Sequence, residues 1–98
     1  MNFTIIDGKG FYIGFPNGWG VNVEFGPGNY ADNYDMNQRD HIEAGEAGSD
    51  TAECSVVTPE RKRFHHPSFG GDSVKGYCTP SEVLGLLNWA AEQKGVDK

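Results

Sequence analysis

Apolar and polar residues alternate on both sides of Asn17-Gly18 in the pattern of two β-strands joined by a tight turn. Large apolar side chains occupy every second position and therefore share one face: Phe11, Ile13, Phe15, Trp19, Val21, Val23 and Phe25. A period of two is typical of a sheet with one buried and one solvated face. Asn-Gly is favoured in a two-residue type I′ turn, because both central residues of that turn need a positive φ. The pattern predicts a β-hairpin whose apolar face anchors the core.

Shorter stretches on either side of this hairpin predict further strands. Residues 3–6, followed by the turn sequence Asp-Gly-Lys-Gly at residues 7–10, predict a first strand that completes a three-stranded meander. Residues 51–58 alternate again, and a turn at residues 59–62 returns the chain along residues 63–66. A short segment then leads to the C-terminal part of the chain.

The sequence Thr79-Pro80-Ser81-Glu82 predicts the start of a C-terminal helix. Thr79 is a favoured N-cap residue, proline is tolerated at the first helical position, and Glu82 completes a capping box. Gly95 suits the position just after a helix, so we expect the helix to run to about Lys94. The apolar stripe expected to pack on the sheet consists of Val83, Leu84, Leu87, Ala90 and Ala91, flanked by Leu86 and Trp89.

Together these elements predict a single α+β domain over residues 1–98, an antiparallel sheet of about four or five strands with one C-terminal helix packed on one face. A chain of 98 residues is long enough for one core. It has no apolar run long enough to span a membrane, and its N-terminus lacks the layout of a signal peptide, so we expect a soluble, cytoplasmic protein. Cys54 and Cys78 are too few for a disulfide scaffold and are expected to be free.

Negative charge is concentrated in the middle of the chain. The formal net charge is -6, and half of the 14 acidic residues lie between Asp32 and Glu53, against the single basic residue Arg39. Residues 31–50 carry few aliphatic side chains and are predicted to form a long acidic loop. This charge argues against direct nucleic-acid binding, which requires a basic footprint, and favours a partner protein with a basic surface.

The acidic loop and the turn before it supply the predicted partner-binding residues. The sequence Gly-Pro-Gly-Asn-Tyr at residues 26–30 predicts a turn that holds its last two residues out of the sheet. Acidic groups speed encounter with a basic partner, and tyrosines provide the apolar anchors that most interfaces need. The predicted binding residues are Asn29, Tyr30, Asp32, Tyr34, Asp35, Asp40 and Glu43.

The sequence has few features typical of metal, cofactor or catalytic sites. His41, His65 and His66, with the two cysteines, lack the Cys-x-x-Cys and His-x-x-x-His spacings typical of zinc sites. No metal, cofactor or catalytic set is therefore predicted.

Two alternatives to a protein-binding role stay open. One is a module that binds or sequesters a small ligand or nucleotide, with Trp19, Tyr30 and Tyr34 around a pocket. The other is a small enzyme that uses Cys78, which precedes a helix N-terminus, or a histidine.

Three motifs carry a resemblance to a known group of proteins. They are Asn-Gly-Trp-x-Val-x-Val-x-Phe-Gly-Pro-Gly-Asn-Tyr at residues 17–30, the strand around Ala52-Glu53, and Gly-Tyr-x-Thr-Pro-Ser-Glu-Val at residues 76–83. With them the chain resembles small proteins of bacteriophages and prophages. The resemblance implies an accessory protein in the cytoplasm of a bacterial host that inhibits a host protein, as anti-CRISPR and anti-restriction proteins do. We expect a non-enzymatic inhibitor of a nucleic-acid-handling defence complex, either a monomer or a small homo-oligomer, without contact to membranes.

Overall fold

The computed structural model describes residues 2–6, 9–26, 31 and 48–94. In this part of the chain, six strands form one antiparallel sheet, and a single α-helix, α1 (Pro80–Ala91), follows them. The strands are β1 (Asn2–Ile6), β2 (Gly10–Gly14), β3 (Gly20–Glu24), β4 (Ala52–Val57), β5 (Arg63–Phe64) and β6 (Lys75–Cys78). A short 3-10 helix, Pro67–Phe69, lies between β5 and β6. The predicted α+β fold is confirmed.

The sheet places β1 at one edge and two short strands at the other. Its order is β1-β2-β3-β4, and both β5 and β6 pair with the outer side of β4. β5 pairs with the end of β4, where Val56 lies opposite Phe64, and β6 pairs with its start, where Ala52 lies opposite Cys78. The two short strands therefore share one position in the sheet. β6 was not predicted as a strand, because the sequence analysis left its residues as a short connecting segment.

Helix α1 covers only part of the apolar face of the sheet. It packs on β3, β4 and β6, over a core of Val21, Val23, Ala52, Cys54, Val56, Phe69, Cys78, Leu86 and Ala90. A helix is about 10 Å across, whereas neighbouring strands lie about 4.8 Å apart, so one helix spans two to three strands. The apolar face of β1 is left open: Phe3 is 70% exposed and Ile5 is 85% exposed.

The β2–β3 hairpin is present, but its predicted two-residue turn is wrong. The carbonyl oxygen of Phe15 accepts a 2.9 Å hydrogen bond from the amide of Gly18, and the amide of Phe15 donates to the carbonyl oxygen of Trp19 at 2.8 Å. The loop thus has three residues, and only Gly18 within it has a positive φ, of 90°. Pro16 fixes its own φ near -65°, which suits the first central position of a type I turn; Asn17 takes the second position and Gly18 forms a bulge.

The loop between β4 and β5 has the same hydrogen-bonding pattern. The amide of Arg61 donates to the carbonyl oxygen of Thr58 at 2.9 Å, and the amide of Thr58 donates to the carbonyl oxygen of Lys62 at 2.8 Å. Arg61 has a φ of 65° and occupies the place that Gly18 has in the first loop. The two loops lie side by side, since a Cβ atom on Gly18 would be 3.0 Å from Cβ of Pro59.

Helix α1 begins as predicted and ends three residues early. The Thr79 side chain accepts a hydrogen bond from the amide of Glu82, and the Glu82 carboxylate accepts one from the amide of Thr79, so the capping box is confirmed. The helix ends at Ala91 rather than about Lys94. The side-chain amide of Asn17 donates to the carbonyl oxygen of Ala90 at 2.8 Å, and this bond takes the place of the next helical one.

Candidate protein-binding site

The residues predicted to bind a partner all lie outside the described residues. They are Asn29, Tyr30, Asp32, Tyr34, Asp35, Asp40 and Glu43. Their roles stay predictions. The last two residues of the predicted acidic loop, Ser49 and Asp50, are described, and they line a cleft beside helix α1.

An apolar cleft of about 320 Å³ lies between helix α1 and the β2–β3 part of the sheet. Side chains of β2, β3 and α1 face one another across it. The residues that line the apolar cleft are Phe11, Val23, Phe25, Ser49, Asp50, Thr51, Ala52, Cys78, Pro80, Val83, Leu84 and Leu87. A concave surface with mostly apolar walls and a few polar groups at one end is typical of a binding site.

The orientation of α1 opens the cleft. Leu86 is 5% exposed and Ala90 fully buried, so they form the centre of the buried face, whereas the sequence placed Leu86 at its margin. Leu84, expected within the packed stripe, is 58% exposed. The prediction that Leu84 packs on the sheet was therefore wrong, because the helix turns Leu86 and Ala90 toward the core and leaves Leu84 at the margin of the buried face.

The apolar surface continues from the cleft to the edge of the sheet. Phe11 lines the cleft and packs edge to face against Phe3, with ring centroids 6.4 Å apart. Ile5 lies opposite Phe11 in the β1–β2 register and shares its face. Exposed apolar patches of this kind mark interaction sites on soluble domains.

The C-terminal end of the acidic loop, residues 31–50, lies at the rim of the cleft. Its last two residues, Ser49 and Asp50, line the cleft, and Asp50 adds an exposed carboxylate there. Phe25, six residues before the loop, lines the cleft as well. The sequence showed the acidic residues but did not indicate that the end of their loop lies beside an apolar cleft.

A second, smaller recess of about 220 Å³ is lined by Cys78 and His66, which belong to the enzymatic alternative, and by Lys75 and Glu82. Lys75 and Glu82 form an ion pair there. The hydrogen bonds from Lys75 and from the Thr79 amide lower the pKa of Glu82 to about 2. The hydrogen bond to Glu82 raises the pKa of Lys75. Each charge is thus satisfied by the other.

His66 in this recess has a structural role. Its Nδ1 accepts a hydrogen bond from the Ser68 amide at 3.1 Å and so caps the 3-10 helix. Burial lowers the pKa of His66, which keeps the imidazole neutral and able to accept this bond.

The two cysteines are free, as predicted, and lie in the core. Each is 1% exposed, and the Cys78 thiol donates to the carbonyl oxygen of Lys75 at 3.5 Å. A hydrogen bond to Cys78 and burial raise the pKa of the Cys54 thiol well above its usual value. Burial closes both thiols to a substrate in this conformation. Among the described residues, no group of three or more His, Cys, Asp or Glu side chains is arranged to hold a metal ion.

Trp19, placed around a ligand pocket in one of the alternatives, instead closes the core. Its ring packs edge to face on Phe64 and Trp89, at 5.2 and 5.4 Å, and its Nε1 donates to the carbonyl oxygen of Lys94 at 3.3 Å. Trp89 also stacks on Phe64. The indole is therefore held by contacts with β5, with α1 and with Lys94 after the helix end.

Comparisons with protein-family models, with curated proteins and with solved structures find no significant match to this chain. No helix among the described residues has the length and apolarity needed to cross a membrane. The function is therefore argued from the geometry of the site.

Proposed function

We propose that the chain is a non-enzymatic binding protein that holds a partner protein in the apolar cleft and inhibits it. The observation that carries this proposal is the apolar cleft itself, with exposed Leu84 on its wall and the C-terminal end of the acidic loop, Ser49 and Asp50, at its rim. Apolar walls provide the anchoring site for a side chain of the partner, and the neighbouring acids attract a basic surface.

The partner has a definite chemistry. A cleft of about 320 Å³ accommodates one or two large apolar side chains rather than a whole helix or strand. The net charge of -6 favours basic residues around that anchor. A host protein that handles nucleic acid has such basic surfaces, so this chemistry agrees with inhibition of a defence complex of the type that anti-CRISPR or anti-restriction proteins target.

The titratable groups support binding over catalysis. Cys54 and Cys78 are buried, His66 caps a helix, and Lys75 and Glu82 neutralise each other. The thiols, the Nδ1 atom of His66 and the Lys75–Glu82 pair each have a structural partner, whereas the buried Nε2 atom of His66 has no hydrogen-bond partner among the described residues. The strongest unexplained feature is the open apolar surface, which is what a binding protein requires.

Leu84→Lys tests the cleft, and Asn88→Lys is the matched control. Both residues are exposed on α1 and both changes add the same charge, but only Leu84 lines the cleft. Each protein is used to capture partners from a bacterial lysate, and captured proteins are identified by mass spectrometry. A basic protein retained by the wild type and Asn88→Lys but lost with Leu84→Lys supports the proposal. Equal retention by all three overturns it.

Binding kinetics with the captured protein then separate charge from apolar contact. Neutralising Asp32, Asp35 and Asp40 together is expected to slow association and flatten its salt dependence, because exposed charges act mainly on encounter. Leu84→Lys is expected to speed dissociation about tenfold or more, which corresponds to about 1.4 kcal/mol. Unchanged rate constants for the triple variant would show that the acidic segment has no part in the interface.

A small apolar ligand is the second candidate occupant. The cleft volume lies at the low end of the range of about 300–1,000 Å³ that small-molecule sites span. Native mass spectrometry of the purified protein distinguishes this case. A bound small molecule present in the wild type and Asn88→Lys, and absent from Leu84→Lys, would favour the ligand over the protein partner.

A further inference from the structure

Strand β1 is an unprotected edge of the sheet. Its five residues pair with β2 without interruption, and among the described residues no strand pairs with its outer side. Natural edge strands are usually shielded by a charge, a proline or a bulge. The sequence of β1, Asn-Phe-Thr-Ile-Ile, contains none of these.

The register of the sheet shows which backbone groups face outward. The amide of Phe15 bonds to Trp19 on β3, so in an antiparallel ladder the alternate residues Ile13 and Phe11 also bond to β3. The other alternate residues of β2, at positions 10, 12 and 14, bond to β1. Their partners on β1 are Ile6, Thr4 and Asn2, respectively. The amides and carbonyls of Phe3 and Ile5 are therefore directed away from the molecule.

These two residues also expose their side chains. Phe3 is 70% exposed and Ile5 is 85% exposed, on the face that carries the core. An apolar side chain in water and an unpaired backbone coincide at the same two positions, and both are satisfied at once only by another strand.

We propose that two copies of this chain pair through β1, antiparallel, about a two-fold axis at Thr4. In that register Phe3 lies opposite Ile5 of the second copy, and Ile5 lies opposite its Phe3. The outward amides and carbonyls of both residues then pair, and each Phe ring packs on an Ile side chain. The strand is thus complementary to itself, which is what a two-fold interface requires.

The dimer joins the two sheets edge to edge. Because the axis is perpendicular to the sheet, both helices lie on the same face of the joined sheet, and both apolar clefts open on that face. Pairing covers the outer side of Phe3 and Ile5 and leaves Leu84 and Leu87 free. The dimer therefore does not depend on the proposed partner, and the two can be tested apart.

Cysteine cross-linking tests the register. At a two-fold pair without hydrogen bonds, the two Thr4 Cα atoms lie about 4.5 Å apart, within the range for a disulfide. Asn2 faces the same side of the sheet, but in this register the two copies of Asn2 lie about 13 Å apart. With oxidised glutathione as the oxidant, two Thr4→Cys thiols form one intermolecular disulfide and release two reduced glutathione molecules. Thr4→Cys is expected to give a covalent dimer and Asn2→Cys is not; equal cross-linking of the two variants overturns the register.

Sedimentation equilibrium tests the edge itself. Ile5→Pro removes an outward-facing amide N–H that is not hydrogen-bonded to β2 of the same chain. It is expected to weaken dimerisation at least about tenfold. Leu84→Lys is the control and is expected to leave dimerisation unchanged. A wild type that stays monomeric at the highest concentration reached, or a dimer lost with Leu84→Lys but kept with Ile5→Pro, overturns the proposal. The cross-linking result stands whether or not Ile5→Pro folds.

Discussion

The side-chain amide of Asn17 lies 2.8 Å from the carbonyl oxygen of Ala90, so a residue in the first hairpin loop caps the C-terminus of helix α1. The same nitrogen donates to the carbonyl oxygen of Gln93 at 2.8 Å, and Oδ1 accepts from the amide of Trp19 at 3.0 Å. One amide group thus holds both the loop and the helix end. The glycine that the sequence predicted to follow the helix, Gly95, lies outside the described residues.

Asn17→Ala is expected to lower the free energy of unfolding by about 1–3 kcal/mol, because helix carbonyls lose their donor in a partly buried place. Asn17→Asp is expected to cost more, since it sets a negative charge against the carbonyls and the negative end of the helix dipole. Urea unfolding measures both, with Asn88→Ala on the exposed face of α1 as the control. Equal stability of Asn17→Asp and the wild type would contradict the capping role.

Matched substitutions in the two loops are expected to act in opposite directions. Arg61 has a φ of 65°, a conformation that costs a side chain about 1 kcal/mol, so Arg61→Gly is expected to stabilise by about 0.5–1 kcal/mol. Gly18→Ala is expected to destabilise by about 1–2 kcal/mol, because φ is 90° and the new Cβ meets Pro59 at 3.0 Å. Thermal unfolding of both variants gives the signs directly, and a loss of stability in Arg61→Gly would reject the strained conformation.

The capping carboxylate makes stability depend on pH in the acid range. The pKa of Glu82 is lowered from 4.5 to about 2 on folding, so the unfolded chain binds more protons between these values. The contribution of Glu82 is therefore complete above about pH 5 and is lost as the pH falls toward about 2. Urea unfolding of the wild type and Glu82→Gln across this range should show two curves that converge at low pH. A constant difference between them would mean that the ionised carboxylate contributes nothing.

Both thiols are expected to resist an aromatic disulfide reagent in the folded protein and to react in urea. Each is 1% exposed, and the pKa of Cys54 is raised, which disfavours its reactive thiolate. The hydrogen bond with Cys54 lowers the pKa of Cys78, so Cys78 is protected by its burial alone. Absorbance of the released thiolate measures the reaction. Rapid modification of one thiol without denaturant would show that Cys78 is reached through the cleft and would restore the enzymatic alternative.

Local sequence signals predicted the elements, because each element depends on residues close together in the chain. The alternation around Val21 and the capping box at Thr79 involve neighbours only, and both are confirmed. The turn type was wrong although its signal is also local: Pro16 restricts the backbone before Asn17-Gly18 is reached. Reading the proline first predicts the three-residue loop.

Features that depend on distant residues were not predictable from one sequence. The helix ends early because of Asn17, which lies 73 residues away from Ala90. The cleft results from where the helix lies on the sheet, and no periodicity in residues 80–91 encodes that position. The sequence shows that Asp50 is charged. That Asp50 and Leu84 line the same cleft depends on the whole fold.

The contact between Trp19 and Trp89 determines what optical spectroscopy can see in this protein. They are its two tryptophans, and they meet edge to face where the hairpin and the helix join. The coupling between two indole rings depends on their separation and angle, so near-ultraviolet circular dichroism and fluorescence report the docking of the helix on the sheet. Neither ring lines the apolar cleft. A partner held in the cleft therefore does not touch either indole, and an added label beside the cleft reports binding more directly than the two tryptophans do.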